Sequence, residues 1–364
     1  MIIISANVVP EVGGPSRFVS EFSKWLDTLN LNYQIIATTP EKYFKKNNSM
    51  SLISRKQNLI FRILHLVFLL WKNRKNSRIL VCGLFYEVGI ARSLFKFQYV
   101  AKVPSDIVWD KAINNGWTTY SVDEFQNNIP KRLRIYRFMY SNSLKRAEAV
   151  IVPSEHLRRL VSDWGVNPKN IYMIRNSTNL FENSINLEGN KSFDVVVVGR
   201  LIPIKGIREV LELSQKLNLS VAVIGDGPDL EYLKNFASLN AIKANFFGNV
   251  SYITVQNIVC KSKYFILNSQ HEGSPNALIE AFALGALCIV RENPGTAELV
   301  SDLENGILVG QNRSLESGIS LALKNPELCQ KISSNAKEFA LKNLNRDVNF
   351  EKILNLVKPN NLSE

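Results

Sequence analysis

The sequence has few cysteines and few histidines. The four cysteines, Cys82, Cys260, Cys288 and Cys329, lie far apart, with no Cys-x-x-Cys pair and no Cys/His ligand spacing. This distribution argues against a structural zinc site and against a disulfide framework. None of the 3 histidines lies in a pattern that indicates a catalytic base. The composition fits a reducing cytoplasm.

A long hydrophobic run is also missing. The most apolar stretch, residues 59–71, is interrupted by Arg62 and His65, and a membrane span needs roughly 20 apolar residues. Residues 1–9 lack the basic start and the long apolar core of a signal peptide. We therefore expect a cytoplasmic protein without a transmembrane helix.

The charge is unevenly distributed. The 364 residues have a formal net charge of +12. Residues 1–175 contain 26 Lys and Arg against 12 Asp and Glu, a net +14, whereas the remainder contains 18 against 20, a net −2. The basic character therefore belongs to the N-terminal half.

Short apolar, β-branched runs alternate with helical patterns along the chain. This alternation predicts parallel sheets covered by helices on both faces. The expected strands are residues 2–8, 34–38, 78–84, 99–103, 149–153, 194–199, 220–224, 264–268 and 288–290.

The strand pattern lapses at residues 177–192, which are rich in Asn, Ser and Gly and predict an interdomain linker. We expect a Rossmann-like N-terminal domain at 1–176, a Rossmann-like C-terminal domain at 193–345, and a C-terminal helix at 346–364 that packs back on the N-terminal domain. Ligands of such doubly wound domains bind beyond the carboxyl ends of the strands. Functional residues are therefore sought there.

Two cations follow one predicted strand of the C-terminal domain. The strand 194–199 ends at Arg200, and Lys205 and Gly206 precede the next helix. A guanidinium and an ammonium group together suit a diphosphate whose negative charge grows as it leaves. Solvated charges at a strand end are the alternative for either residue alone.

A second group of residues lies in the segment QHEGSPNALIEA, residues 270–281. Ser274 is a favourable N-cap and Pro275 a favourable first helical residue, so a helix is expected to start here. The free amides at its start would form an anion site. These amides belong to Asn276, Ala277 and Leu278.

Two carboxylates are expected to bracket this anion site. Glu272 lies in the loop before the helix, and Glu280 lies four residues after Asn276, on the same helical face. Carboxylates there can accept hydrogen bonds from sugar or ribose hydroxyls, and the helix start favours their ionised form. Taken alone, the same residues also describe an ordinary helix start.

The order and spacing of several motifs resemble a known family. VVVVGRLIPIKGIREVLEL, VIGDGPDLEYLKNFA and NSQHEGSPNALIEAF are similar to the nucleotide-sugar domain of family 4 glycosyltransferases. NVVPEVGGPSRFVSEFSKWL, near the N-terminus, resembles the Gly-Gly loop of the same family. The resemblance implies the α/β GT-B fold, in which two doubly wound domains face a central cleft, and transfer with retention of anomeric configuration.

The resemblance also implies roles for individual residues. Arg200 and Lys205 would contact the donor diphosphate, Glu280 the ribose, and Glu272 the transferred sugar. The turn 225–228 either contacts the ligand or only shapes the cleft. The expected donor-binding residues are Gly13, Gly14, Gly199, Gly273, Ser274, Asn276, Ala277, Leu278 and Glu280.

The N-terminal domain offers one catalytic candidate. Residues 105–110, SDIVWD, resemble a subgroup of the family that has Gly-Asp-x-x-Trp-Glu. Asp106 follows a strand end, where it would orient the acceptor hydroxyl or cap the loop. We therefore count Asp106 with Glu272, Arg200 and Lys205 as the expected catalytic residues.

No metal or cofactor is expected. No acidic Asp-x-Asp-like cluster follows a strand, and Arg200 and Lys205 can neutralise the charge that a divalent ion would otherwise neutralise. The substrates would be a nucleotide-diphosphate sugar and a glycan or lipid-linked acceptor.

Two basic segments of the N-terminal half suggest an anionic membrane surface as a partner. Residues 131–146 predict an amphipathic helix with an apolar stripe and a basic face that includes Arg134 and Arg137, and residues 55–78 contain seven cations. Solvated helix faces are the alternative. No nucleic-acid partner is expected, because both segments lack a nucleic-acid-binding motif. The expected location is the cytoplasm, peripherally on the inner face of the membrane.

The sequence therefore predicts a retaining glycosyltransferase of bacterial polysaccharide, O-antigen or lipopolysaccharide synthesis. Two alternatives are a GT-B-fold sugar-nucleotide epimerase and a non-catalytic subunit that keeps the fold. The intact set of Arg200, Lys205, Glu272 and Glu280 speaks against the subunit. The net +14 of the N-terminal half speaks against the epimerase.

Overall fold

The computed structural model describes residues 1–8, 13–40, 46–47, 50–73, 78–179 and 191–357. The chain divides into two compact units. The first consists of Met1–Arg175 together with Asp347–Glu364, and the second of Asn176–Arg346. Most of the segment predicted as a linker, residues 180–190, lies outside the described residues.

The first unit is built on an eight-stranded sheet. Its strands are β1 (Ile2–Ser5), β2 (Gln34–Thr39), β3 (Lys46–Asn47), β4 (Met50–Ser54), β5 (Ile79–Val81), β6 (Val100–Lys102), β7 (Ala149–Val152) and β8 (Ile171–Met173). Their order is β3-β4-β2-β1-β5-β6-β7-β8. All pairs are parallel except that of the short edge strand β3 with β4.

Within the described residues, seven α-helices lie between these strands. They are α1 (Gly14–Thr28), α2 (Leu59–Asn73), α3 (Phe85–Leu94), α4 (Ile107–Asn114), α5 (Val122–Asn127), α6 (Lys131–Lys145) and α7 (Glu155–Asp163). Side-chain caps set several of their starts. Ser154 accepts the Leu157 amide at the start of α7, and Ser121 and Glu124 form a reciprocal capping box on α5.

The second unit has a six-stranded, wholly parallel sheet. Its strands are β9 (Phe193–Val198), β10 (Val221–Ile224), β11 (Ala244–Gly248), β12 (Ser262–Leu267), β13 (Leu287–Arg291) and β14 (Ile307–Val309), in the order β11-β10-β9-β12-β13-β14. Its helices are α8 (Ile207–Lys216), α9 (Leu230–Leu239), α10 (Tyr252–Cys260), α11 (Asn276–Ala283), α12 (Pro294–Ala297), α13 (Leu315–Lys324) and α14 (Pro326–Asn343).

Strand β9 shows why the apolar runs have no polar face. Val195 and Val197 pack into one core cluster, whereas Val196 packs into a second cluster on the opposite face of the sheet. Both faces are therefore buried under helices, as expected for a parallel sheet. The predicted α/β architecture of two doubly wound domains is confirmed.

The final helix, α15 (Arg346–Val357), contributes to the core of the first unit. Phe350 packs edge-on against Phe18, Phe22 and Trp25 of α1, with ring centroids 5.1 to 5.7 Å apart. Its core also includes Ile353. The C-terminal segment therefore belongs to the N-terminal unit.

Candidate active site

The end of β9 delivers Arg200 to solvent. Arg200 is exposed and directly follows Gly199. A Cβ atom added at Gly199 would meet nothing within 4 Å, so the space beside this residue is open. The strand end therefore presents a cation next to an accessible stretch of backbone.

The Gly225–Pro228 turn supports the loop that carries Arg200. The Gly199 amide donates to the Ile224 carbonyl at 3.0 Å, and the Leu201 amide donates to the Asp226 carbonyl at 2.9 Å. Gly225 has a φ of 130°, and a Cβ there would lie 1.9 Å from the Gly199 carbonyl oxygen. The structure thus gives this turn a role in shaping the edge of the site.

Lys205 and Glu272 lie together, as the sequence predicted. The Lys205 Nζ is 2.5 Å from the Glu272 Oε1, and both side chains are largely buried. Lys205 ends a short 3-10 turn, and Gly206 follows in the left-handed region with a φ of 62°. A Cβ at Gly206 would lie 2.6 Å from the Asn268 carbonyl oxygen, so this close approach of two loops requires glycine.

A polar network that sequence reasoning missed holds these loops together. The Asn268 amide nitrogen donates to the Gly206 carbonyl and to Glu209, each at 2.9 Å. Arg291 donates to the Asn268 side-chain oxygen at 2.8 Å and to Glu209 at 2.6 Å. Asn268 and Arg291 lie at the ends of neighbouring strands, and that shared position is the signal that could have found them.

Helix α11 starts one residue later than predicted. Its N-cap is Pro275 rather than Ser274, because Pro275 has an extended backbone with φ −74° and ψ 106°. The Leu278 amide donates to the Pro275 carbonyl at 3.1 Å. Leu278 is therefore not a free donor, whereas no acceptor for the amides of Asn276 and Ala277 is found within the described part of the chain.

Two buried hydroxyls lie near this helix start. Among the described residues, the Oγ atoms of Ser269 and Ser274 have no hydrogen-bond partner. Ser269 was not predicted, and Ser274 was predicted to act as a cap. Because a buried hydroxyl gains stability from a partner, each of these hydroxyls would be stabilised by a partner that the described residues do not supply.

The other donor-site candidates fall on two different units. Glu280 is buried on α11, and Gly273 lies in the loop before that helix. Gly13 and Gly14 lie at the start of α1 in the first unit, where Gly13 has a φ of 152°. Residues 9–12, the preceding part of the predicted Gly-Gly loop, lie outside the described residues. Contacts of these residues with a donor remain predictions.

Asp106 has a structural role. Its Oδ1 caps α4 by accepting the amides of Val108 and Trp109 at 3.0 and 3.2 Å. Its Oδ2 accepts from Gln126 at 3.0 Å and pairs with Arg137. The Asp106 side chain is 0% exposed, which supports the capping alternative, and a contact with an acceptor hydroxyl stays a prediction.

Arg137 also departs from the prediction. It was expected on the basic face of α6, but it is buried, pairs with Asp106 and stacks over the Trp164 ring at 4.2 Å. The helix position of Arg137 lies on the side that packs inward with Leu133 and Tyr140. The exposed cations of this helix are Lys131, Arg132, Arg134 and Lys145.

A buried cation at the carboxyl edge of the first sheet was also missed. Lys102 ends β6, and its ammonium lies 4.5 Å from the Phe18 ring centroid. Burial lowers the pKa of Lys102, while the neighbouring Cys82 acts in the opposite direction. Burial also raises the pKa of the Cys82 thiol to about 12. An unreactive thiol is therefore expected at Cys82.

The comparisons with known families agree with this geometry. Residues 181–339 match the family model described as glycosyl transferases group 1. The similarity to glycosyl transferases group 1 therefore covers this segment, which is called here the group 1 segment. It contains Arg200, Lys205, Glu272 and Glu280, and the match supports the glycosyltransferase prediction.

Two curated relatives carry glycosyltransferase names. An uncharacterized glycosyltransferase of Haemophilus influenzae is 33% identical over 65% of this chain and 66% of its own length. The N,N'-diacetylbacillosaminyl-diphospho-undecaprenol alpha-1,3-N-acetylgalactosaminyltransferase of Campylobacter jejuni is 25% identical over 66% of this chain and 67% of its own length. The chain thus matches just under two thirds of the Haemophilus relative.

A solved structure extends the likeness to almost the whole chain. The Anabaena protein HepE, in complex with UDP-glucose, has a TM-score of 0.75 and 16% identity, and covers 98% of both chains. At this identity the match shows the fold. The GT-B assignment is therefore confirmed beyond the group 1 segment.

Proposed function

We propose that the protein is a retaining glycosyltransferase of the family 4 type, which moves a sugar from a nucleotide-diphosphate sugar to a lipid-linked glycan acceptor in bacterial surface-polysaccharide synthesis. The group 1 segment supports the transferase chemistry. The retaining outcome and the family 4 assignment rest on the motif resemblance.

The observation that carries the proposal is the cluster at the carboxyl ends of β9 and β12. Exposed Arg200 and the Lys205–Glu272 pair lie in the loops after these strands. A nucleoside diphosphate leaves with growing negative charge, and fixed cations lower the energy of that state. In this proposal Glu272, held by Lys205, accepts a hydrogen bond from a hydroxyl of the transferred sugar.

The start of α11 supplies the remaining donor contacts in this proposal. The amides of Asn276 and Ala277 and the hydroxyl of Ser274 would receive phosphate oxygens. Glu280 would accept the ribose hydroxyls. HepE was solved with UDP-glucose, so UDP is a suitable first probe of this site.

Two observations support a lipid-linked acceptor: the name of one relative and the net charge of the N-terminal half. The Campylobacter relative is named for an acceptor linked through a diphosphate to undecaprenol. An acceptor of that kind stays in a membrane. The net +14 of residues 1–175 supports a peripheral position on an anionic inner leaflet. No helix of the described residues is both long and apolar enough to cross a membrane.

Product analysis tests the proposal. The full chain is incubated with a panel of UDP-, GDP-, dTDP- and ADP-sugars and undecaprenyl-diphosphate-linked acceptors, and products are analysed by mass spectrometry. One donor should add a single sugar to the acceptor and release its nucleoside diphosphate. An isomerised nucleotide sugar without transfer would instead support an epimerase.

A further inference from the structure

Helix α2 is apolar on the side that faces solvent. The side chains of five large apolar residues are about half to two thirds exposed: Ile60 65%, Phe61 68%, Leu64 54%, Phe68 56% and Trp71 49%. At 100° per residue these positions span a single arc of about 100° on the helix. The exposed side of α2 is therefore a continuous apolar stripe, called here the α2 stripe.

The opposite side of the same helix packs into the first unit. Leu66 and Leu70 are fully buried, and Arg62 turns toward Glu87 of α3, with its Nη2 3.2 Å from the Glu87 Oε1. The inward side thus packs against the first unit and forms an ion pair with α3. The exposed apolar residues of the α2 stripe therefore do not serve the core of the first unit.

Cations lie around the α2 stripe. Arg55 and Lys56 are exposed just before the helix, and Lys72 is exposed in its last turn. Residues 55–78 contain seven Lys and Arg and no Asp or Glu. An apolar stripe with exposed cations at both ends of its helix is complementary to a surface that is apolar inside and anionic outside.

Helix α6 presents a related surface on the same side of the sheet. The crossovers from β4 to β5, from β5 to β6 and from β6 to β7 all run in one direction along the sheet. Because such crossovers are right-handed, their helices cover one face, and α3 contacts both α2 and α6. On α6 the exposed Ile135 and Phe138 lie among Lys131, Arg132 and Arg134.

We propose that the α2 stripe inserts into the headgroup and acyl boundary of an anionic lipid bilayer, with the basic residues of α2 and α6 contacting lipid phosphates. At 1.5 Å per residue a 15-residue helix is about 22 Å long, shorter than the roughly 30 Å hydrocarbon core. It therefore lies in the membrane plane. This inference deepens the peripheral location proposed above by naming the element that enters the lipid.

A second copy of the chain is the competing occupant. A symmetric dimer would place the same patch of both copies face to face. Each segment has six cations besides the Arg62 that pairs with Glu87, and no acid. Two such segments would then repel one another, whereas anionic lipid neutralises them. Electrostatic repulsion between two copies therefore favours an anionic bilayer over a second copy of the chain as the occupant.

Vesicle binding of the full chain tests this inference. Partitioning is measured by co-sedimentation with phosphatidylcholine vesicles that contain about 30% phosphatidylglycerol, an anionic lipid. The variant Phe61→Gln/Leu64→Gln/Phe68→Gln should bind at least about tenfold more weakly, because each methylene in lipid changes partitioning about fourfold. The matched control Leu239→Gln/Ile253→Gln, at exposed apolar positions of the second unit, should bind like wild type.

Trp71 gives an independent optical readout. It is more exposed than the other four tryptophans, so anionic vesicles should shift its emission to the blue and brominated lipids should quench it. The variant Trp71→Phe should lose that response. Unchanged vesicle binding in the triple Gln variant, or a wild-type dimer that the variant turns into a monomer without lipid, would overturn the inference.

The same experiments separate this inference from the proposed transfer activity. UDP binding, measured by calorimetry, should be equal in wild type and in the triple Gln variant, since no residue of the α2 stripe is among the expected donor-binding residues. Vesicle binding without any sugar transfer would contradict the proposed function alone. Sugar transfer with unaltered vesicle binding in the variant would contradict the α2 inference alone.

Discussion

At the residue scale, Asp106 shows how a motif position can be structural. Its carboxylate caps α4 and pairs with Arg137. Arg137 has no other hydrogen-bond partner for its Nε and Nη1 within the described residues. Removing either side chain would leave the other as a buried, unpaired charge, which is much less stable than the buried pair.

The substitution Asp106→Ala should lower the free energy of unfolding by about 3–5 kcal/mol. The loss comes from leaving the Arg137 guanidinium buried without its carboxylate. Urea denaturation followed by circular dichroism measures it. Asp163→Asn, at an exposed position of α7, is the matched control and should change the free energy by less than about 0.5 kcal/mol. A stable Asp106→Ala protein that fails only in transfer would support the catalytic interpretation.

The residues that carry charge in the second unit were the most predictable. Arg200, Lys205 and Glu272 could be placed at one sheet edge because the carboxyl ends of parallel strands meet there. Asn268 and Arg291 were missed because their role is a contact across strands, which has no local signature. Ser274 was misassigned because Pro275 takes an extended backbone and becomes the cap itself.

At the element scale, the central strands were easier to predict than the edge strands. The apolar runs at β1, β7, β9 and β10 are buried on both faces, so their apolar composition alone identified them as strands. The edge strand β11 contains the exposed Asn245 and several half-buried positions, and β14 has three residues. In the sequence, neither the mixed composition of β11 nor the short length of β14 distinguishes a strand from a loop.

The Gly225–Pro228 turn yields a prediction for this scale. Gly225→Ala places a Cβ that would meet the Gly199 carbonyl oxygen at 1.9 Å, so the loop bearing Arg200 must move. A displacement of about 1 Å in a catalytic group costs roughly 10²-fold in rate. We expect a loss of that order in kcat/KM for transfer, measured by release of nucleoside diphosphate.

Gly116→Ala is the matched control for this turn. Gly116 also has a positive φ, 64°, but a Cβ there would meet nothing within 4 Å. Its cost should appear only in stability, at about 1–2 kcal/mol. Equal activity of the Gly225→Ala and Gly116→Ala proteins would show that the turn does not set the position of Arg200.

At the scale of the whole molecule, the two units divide the proposed work. The second unit contains the segment that matches the group 1 family model and has a net charge near zero, whereas the first unit has the basic surface and the α2 stripe. Composition revealed this asymmetry. Exposure of the α2 stripe could not be predicted, because an apolar run on a helix looks the same whether it is buried or faces solvent.

Metal independence is a prediction about the whole enzyme. If Arg200 and Lys205 neutralise the leaving diphosphate, transfer should persist at the wild-type rate in excess EDTA. The rate is measured before and after dialysis against the chelator. Loss of activity that Mg²⁺ or Mn²⁺ restores would show that a divalent ion shares the task.

The central claim is that Arg200 and Lys205 hold the donor diphosphate in the transition state. Turnover of the wild type, Arg200→Ala and Lys205→Ala, measured with the donor found by product analysis, tests it most directly. Each substitution should lower kcat by about 10² or more, the effect of removing one preorganised charge stabiliser. Arg208→Ala, at an exposed cation of α8 paired with Glu212, should keep wild-type turnover. Wild-type turnover in both the Arg200 and the Lys205 variants would contradict the account.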